Sequence, residues 1–179
     1  MNICFINPPF KSEYGKFSRE SRSPSIGHSG VLYYPLWLIY AAAVAKKNGF
    51  EVSFIDAPAK RMNKSDTLKK ILATTKDPRL FVLYTSTPAI YSDVEFGSIL
   101  KEKYPESKIM LVGTHPSAKD IETLNINDKI DIIGRREYDY IVLEVAKAIR
   151  DKKDFKRVKG ITYRDDKNEI HRKNILYHL

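Results

Sequence analysis

Leu80-Phe81-Val82-Leu83-Tyr84-Thr85-Ser86-Thr87-Pro88 decides the reading of this chain. Phe81–Tyr84 are aromatic, aliphatic or β-branched and carry no charge. A short apolar run between breakers is the pattern of a central parallel strand covered on both faces. Thr85, Ser86 and Thr87 then supply three hydroxyls, and Pro88 suits the first turn of a following helix. In open α/β sheets, ligands bind beyond the carboxyl ends of the strands, where strand order reverses. This stretch therefore predicts both a fold and the edge of that fold where chemistry sits.

Outward from it, the same alternation repeats. Asn2–Asn7 predicts a first strand, stopped by Pro8 and Pro9. Pro35–Asn48 predicts a helix that is apolar almost all round and buried, ending in Lys46, Lys47 and Gly49. Glu51–Asp56 reads as the second strand, and Asn63–Lys76 as a helix with Leu68, Ile71 and Leu72 facing inward. The third strand is 80–84, followed by a helix over Ala89–Tyr104 that ends at Pro105. Lys108–Val112 is the fourth strand, a short helix covers about Lys119–Leu124, and Lys129–Ile133 is the fifth strand. Tyr138–Arg150 is the last helix, with Tyr138, Ile141, Val142, Val145 and Ile149 on one stripe. Five strands alternating with five helices predict right-handed βαβ units. The fold class is α/β: a flavodoxin-like, Rossmann-like five-stranded parallel sheet of order 2-1-3-4-5, its crevice between the first and third strands.

Two stretches break the alternation. Lys11–Tyr34 is long, polar and without a period, and a loop of that length is usually functional or mobile. After about residue 150, Gly160–Arg164 and Glu169–Arg172 flank Asp165–Asn168 and predict a C-terminal β-hairpin. Residues 1–150 are thus expected to form the α/β domain and 151–179 a hairpin and connector.

Composition narrows the classes. With 179 residues and 42% apolar content the chain can bury one sizeable core. The formal charge of +9 would suit a polyanion. The bases are scattered over helix ends and 152–173, however, and no nucleic-acid-binding motif is present. The one cysteine, Cys4, excludes an internal disulfide and any multi-thiolate metal site within the chain. Val31–Ala45, about 15 residues broken by Pro35, is too short to span a membrane. MNICFINPP lacks the pattern of a signal peptide, so a cytoplasmic protein is expected.

Candidate functional residues cluster at four strand ends: Asn7-Pro8-Pro9, Thr85-Ser86-Thr87, Gly113-Thr114-His115-Pro116-Ser117, and Gly134-Arg135-Arg136-Glu137. Each has a plain alternative. Prolines terminate strands, hydroxyls cap helices, a glycine permits a turn, and a lone His115 before a proline is an ordinary loop residue. Their shared edge favours a joint role. Neither a GxGxxG nor a GxxxxGK[ST] run is present, and no acidic cluster or Ser-His-Asp set stands out. Small hydroxyls and glycine-opened backbone in several loops suit a large ligand inserted edge-on.

In the order and spacing of these motifs, the chain resembles the N-terminal cobalamin-binding domain of cobalamin-dependent radical SAM proteins. That group includes the anaerobic Mg-protoporphyrin cyclases and many methyltransferases. The resemblance covers about residues 1–172. It rests on Asn7-Pro8-Pro9, the apolar helix before the strand ending in Asp56, Thr85–Pro88, Val112–Ser117, Gly134–Glu137 and the Gly160-Ile161-Thr162-Tyr163 hairpin. Carried over, it implies that Thr85, Ser86, Thr87, Gly113, Thr114, His115 and Ser117 line a slot for the nucleotide tail and one corrin face. Gly134, Arg135 and Glu137 would close its far side, and Asn7, Pro8, Pro9 and the 11–34 loop would approach the lower corrin face.

Two positions depart from the group's pattern. Thr114 stands where a second glycine is usual, and Arg135-Arg136 interrupt a Gly-Glu-Gly-Glu-like run. The Asp-x-His-x-x-Gly motif of a different cobalamin-binding group is also missing, which implies base-off binding without a protein histidine on cobalt. The iron–sulfur cluster and S-adenosylmethionine would belong to a radical SAM domain outside this chain, whose partner functions are methyl transfer or tetrapyrrole-type oxidation and cyclisation. The competing readings are an α/β module for a flavin or nucleotide, and a non-catalytic basic interaction domain.

Overall fold

The structure, a computed structural model, describes residues 1–10, 16–19, 26–27 and 32–174. In chain order its elements begin β1 (Asn2–Asn7), β2 (Lys16–Phe17), β3 (Ile26–Gly27), α1 (Leu36–Lys47), β4 (Glu51–Asp56), α2 (Lys64–Thr74) and β5 (Pro78–Thr85). They continue with α3 (Ile90–Lys103), β6 (Lys108–Gly113), α4 (Thr114–Ala118), α5 (Asp120–Ile126), β7 (Ile132–Gly134), α6 (Asp139–Arg150), β8 (Ile161–Arg164) and β9 (Ile170–Arg172). A 3-10 turn, Thr87–Ala89, leads from β5 into α3 with Pro88 in its first turn.

The main sheet runs β4-β1-β5-β6-β7-β8-β9. Its first five members are parallel neighbours in the predicted 2-1-3-4-5 order. The expectation of five strands is corrected to seven. The C-terminal hairpin, β8–β9, supplies the two further strands: β8 pairs antiparallel with β7 and extends the sheet. Asp120 fastens it, accepting from the Thr162 hydroxyl at 2.6 Å and from Arg172 Nε at 2.7 Å. Those bonds hold the Asp120 carboxyl below its ordinary pKa although burial pushes the other way.

Alternate residues of each strand serve opposite faces, as a pleated strand requires. Ile3, Phe5, Leu80, Val82, Met110 and Val112 pack under α1 and α6. Cys4, Ile6, Phe81, Leu83, Ile109 and Leu111 form the second core with Ile71, Val94, Phe96 and Leu100. Burial on both faces explains why β5 reads as a continuous apolar run. It also pushes the Cys4 thiol up to about 12, consistent with a packing role.

Four local expectations are revised. Residues 114–118 are helical (α4), and a separate α5 follows. The fifth strand is displaced to Ile132–Gly134, because the Asn127 side chain holds the Lys129 N–H at 2.9 Å in a turn. Leu72 of α2 is exposed, whereas Ile71 is buried and Leu68 packs partly against the core. The polar stretch 11–34, read as structureless, contains the antiparallel pair β2–β3; the remainder of that prediction falls mostly outside the described residues. Among the described residues, no helix is long and apolar enough to cross a membrane.

Candidate functional site

Helix α1 is buried on one face only. Leu38, Ala41, Ala42 and Ala45 face the sheet, while Leu36, Trp37, Ile39 and Tyr40 are exposed. The four small and medium side chains let α1 lie close to α6. The aromatic half is left standing over the carboxyl edge of the sheet, contrary to the all-round burial its composition suggested.

Trp37 and Tyr40 form one wall of a cavity of about 660 Å³. Its floor and other walls are Tyr84 at the end of β5, Gly113 at the end of β6, Thr114, Ser117 and Ala118 of α4, and Arg136, Glu137, Tyr138 and Asp139 between β7 and α6. The cavity thus lies over the third, fourth and fifth strands of the parallel set, between α1 and α6.

Gly113 makes this opening possible. It has φ +120°, a conformation that L residues rarely adopt, and a Cβ there would stand 2.2 Å from the Thr85 carbonyl oxygen and 3.1 Å from the Tyr84 ring. The backbone of β6 therefore passes flush against the end of β5, and the cavity floor stays free of side chain. Gly134 serves packing instead: a Cβ would meet Met110 Cε at 2.5 Å, inside the core.

The crevice expected between the first and third strands is filled by Arg19. Its guanidinium is fully buried and pairs with both oxygens of Asp93, at 2.6 and 3.2 Å. It also donates to Asn7 Oδ1 and to the Pro8 carbonyl, both at 2.9 Å. Asn7 in turn donates to Asp56 Oδ1 at 2.9 Å. Arg19's own carbonyl accepts from the Tyr84 hydroxyl at 3.4 Å, which ties the network to the cavity wall. Burial raises the Asp93 carboxyl above its ordinary value, and Arg19 opposes that rise.

The sequence-predicted residues thus divide. Gly113, Thr114, Ser117 and Glu137 line the cavity. Asn7, Pro8 and Pro9 are buried beside Arg19. Thr85 and Ser86 are buried at the sheet edge, and Ser86 Oγ has no hydrogen-bond partner among the described residues. Exposed Thr87 sits 3.2 Å from half-buried His115 Nδ1; burial lowers the His115 pKa. Arg135 turns away, ion-paired with Asp120 at 3.5 Å and bonded to the hairpin carbonyls of Ile161 and Lys173. Arg136, within the Gly134–Glu137 stretch, lines the cavity too, whereas Trp37, Tyr40, Tyr84, Tyr138 and Asp139 were not singled out as site residues from sequence. An unusual density of aromatics at the start of α1 was the one available signal.

Fold and site together define a doubly wound, Rossmann-like α/β domain with an aromatic-walled slot at the carboxyl edge of its sheet. No family profile matches the chain. In sequence it is 31% identical over 167 residues to the anaerobic magnesium-protoporphyrin IX monomethyl ester cyclase of Rubrivivax gelatinosus, covering 91% of this chain and 28% of that protein. It is 24% identical over 170 residues to the Synechocystis enzyme of the same name, covering 95% of this chain and 32% of that protein. The chain therefore spans about a third or less of these relatives' length. Its fold is shared with the cobalamin-dependent S-adenosylmethionine radical enzyme OxsB, solved with aqua-cobalamin and S-adenosylmethionine bound. There the TM-score is 0.76 at 14% identity, over 98% of this chain and 22% of that one. It is shared also with the radical S-adenosylmethionine methyltransferase TsrM from Kitasatospora setae, with TM-score 0.72 at 14% identity, over 97% of this chain and 30% of that one. The resemblance read from the sequence is borne out in the likeness to the Mg-protoporphyrin cyclases and in a fold shared with cobalamin-dependent radical enzymes.

Proposed function

We propose that this chain is the cobalamin-binding segment of a cobalamin-dependent radical SAM enzyme. The observation that carries this reading is the side-chain-free floor at Gly113 beneath the Trp37–Tyr40 wall. A large, mostly neutral ligand needs close backbone approach, apolar walls and a few polar groups. Gly113 gives the approach, four aromatic rings give the walls, and Thr114 and Ser117 offer hydrogen bonds to ligand amides.

Cobalamin, when bound, supplies a cobalt centre able to accept and donate a methyl group. The chain's own residues hold and orient it. Tyr84 and Tyr138 flank the slot, and Arg19 keeps Tyr84 in place through its carbonyl. No described histidine lines the cavity, and His115 is engaged with Thr87. The resemblance would imply base-off binding, with no described histidine of the cavity lining to serve the cobalt in its stead. The thiolate-held iron–sulfur cluster and S-adenosylmethionine would fall to another domain of the parent protein. The parent's reaction is methyl transfer or a tetrapyrrole-type oxidation and cyclisation.

Titration with hydroxocobalamin, followed by desalting, is expected to leave a coloured protein with a base-off spectrum. Trp37 is the chain's only tryptophan and stands in the slot wall, so its fluorescence should be quenched in step. An imidazole-type splitting in the EPR spectrum of the Co(II) form would sink the base-off assignment. Loss of all colour on desalting, with Trp37 emission unchanged at saturating ligand, would sink the cobalamin reading itself.

A further inference from the structure

The β8–β9 hairpin carries a cluster of donor groups that the slot does not use. Its register pairs Tyr163 with His171 and Arg164 with Ile170, so Asp165 stands opposite Glu169. The Asp165 N–H donates to the Glu169 carbonyl at 3.0 Å. Side chains two apart on a strand share a face. Asp165, Glu169 and His171 therefore project from one face of the hairpin, and their donor atoms all lie within 4.8 Å of one another. Because β8 runs antiparallel to β7, this turn lies at the amino edge of the sheet, away from the slot.

The donors are oriented by their surroundings. Asp165 Oδ1 accepts from the Lys167 and Glu169 N–H groups, both at 2.9 Å, and Oδ2 faces His171 Nε2 at 2.7 Å. The His171 ring is stacked on Tyr163, with centroids 5.2 Å apart. Supporting contacts of this kind hold ligands in place at metal sites. A hydrogen-bonded Asp–His pair would by itself only pin the turn. Glu169 does not fit that account. Like charges directly opposite on a hairpin repel, yet the exposed Glu169 carboxylate lies beside Asp165. It makes no ion pair with any described residue, although Lys167 stands in the same turn. A cation between the two carboxylates and the imidazole removes that repulsion.

We propose that Asp165, Glu169 and His171 hold a divalent transition-metal cation of the zinc class. The site does not depend on the cobalamin reading. Zinc takes imidazole nitrogen and carboxylate oxygen at about 2.0–2.2 Å, which sets the donors about 3.4 Å apart in a tetrahedral shell. Asp165 Oδ2 and His171 Nε2 must then part by about 0.7 Å, and the exposed Glu169 side chain closes the third side. The metal takes the place of the hydrogen between Oδ2 and Nε2, and the neutral ring carries its proton on Nδ1. Water fills the fourth position. The imidazole discriminates against magnesium and calcium, which take oxygen ligands. Bound metal would tie β9, at the edge of the sheet, to the end of β8.

The test is a titration of the whole chain with zinc after chelator treatment, with a chromophoric zinc indicator as competitor and melting temperature read in parallel. The protein is expected to draw zinc from the indicator. Its melting temperature should rise with zinc concentration, because only the folded hairpin assembles the three donors. Asp165→Asn, Glu169→Gln and His171→Gln should each weaken zinc by more than about tenfold, since losing even a supporting contact of a metal ligand costs about 10–100-fold. Glu169→Gln is the deciding variant. Its side chain has no ion pair to lose, so without metal it should melt with wild type, yet it should lose the stabilisation by zinc. A purely structural Asp–His pair predicts no such loss.

Zinc affinity unchanged in any one of the three variants would overturn the site and assign the metal to another histidine. A wild-type protein that takes no zinc from the indicator would overturn it outright. Magnesium or calcium bound as tightly as zinc would overturn the assignment to a transition metal.

Discussion

Gly113→Ala is expected to lower the melting temperature by roughly 4–24 °C. Two effects combine. The backbone at φ +120° lies in a region that costs a side-chain-bearing residue about 1–3 kcal/mol. The added Cβ would also lie 2.2 Å from the Thr85 carbonyl, and a strand backbone cannot swing aside as a side chain can. Overpacking of this kind costs about a further 1–3 kcal/mol. At about 2–4 °C per kcal/mol for a domain of this size, the total exceeds the usual effect of a surface change. Gly49→Ala is the control. Gly49 has φ +82° but nothing within 4 Å of a Cβ, so it isolates backbone strain from the clash. Differential scanning calorimetry on both variants checks the comparison. Equal effects would show that the close approach of β6 to β5 is not what requires glycine.

Breaking the Arg19–Asp93 pair is expected to cost about 3–5 kcal/mol, the range for removing one partner of a buried ion pair. The two single variants should differ. With Arg19→Met, the abandoned Asp93 can take a proton, and its pKa is already raised by burial. With Asp93→Leu, the guanidinium cannot discharge and remains against Asn7 and the Pro8 carbonyl. Asp93→Leu should therefore be the more destabilising. The double variant, Arg19→Met with Asp93→Leu, should recover part of the loss, because an apolar replacement of a buried pair is often near neutral. Denaturant unfolding of the three variants gives the cycle. A double variant no better than Asp93→Leu alone would sink this account, as would an Asp93→Leu variant of wild-type stability. The latter would mean that Arg19 swings out to water instead of remaining beneath the slot.

The sequence carried the strand order because its signal is local. Asn2–Asn7, Leu80–Tyr84 and Lys108–Val112 are mostly apolar runs closed by breakers, Glu51–Asp56 is a more polar strand at the sheet edge, and helices between them leave few chain paths for parallel pairing. The sequence also carried the sheet edge that opens into the cavity, since strand-end loops share one side of any doubly wound sheet. Gly113, Thr114, Ser117 and Glu137 came out at the cavity for that reason.

Two things were legible only in part. The apolar composition of α1 announced a helix but not its orientation. Its hydrophobic residues lie all round, so periodicity could not say that Ala41 and Ala45 face the sheet while Trp37 and Tyr40 stand over the slot. The hairpin at 160–172 was visible, but its docking depends on Asp120 holding Thr162 and Arg172, 42 and 52 residues further along the chain.

Local chemistry by itself thus determined the class of fold, the strand order and the sheet edge that carries the cavity. Tertiary structure decided which part of that edge is open. A buried arginine from the long polar stretch closes the crevice between β1 and β5, and a glycine with no room for a Cβ keeps the floor clear over β6. Both depend on contacts between residues far apart in the chain, Arg19 with Asp93 and Gly113 with Thr85, and no run of neighbouring residues encodes such contacts.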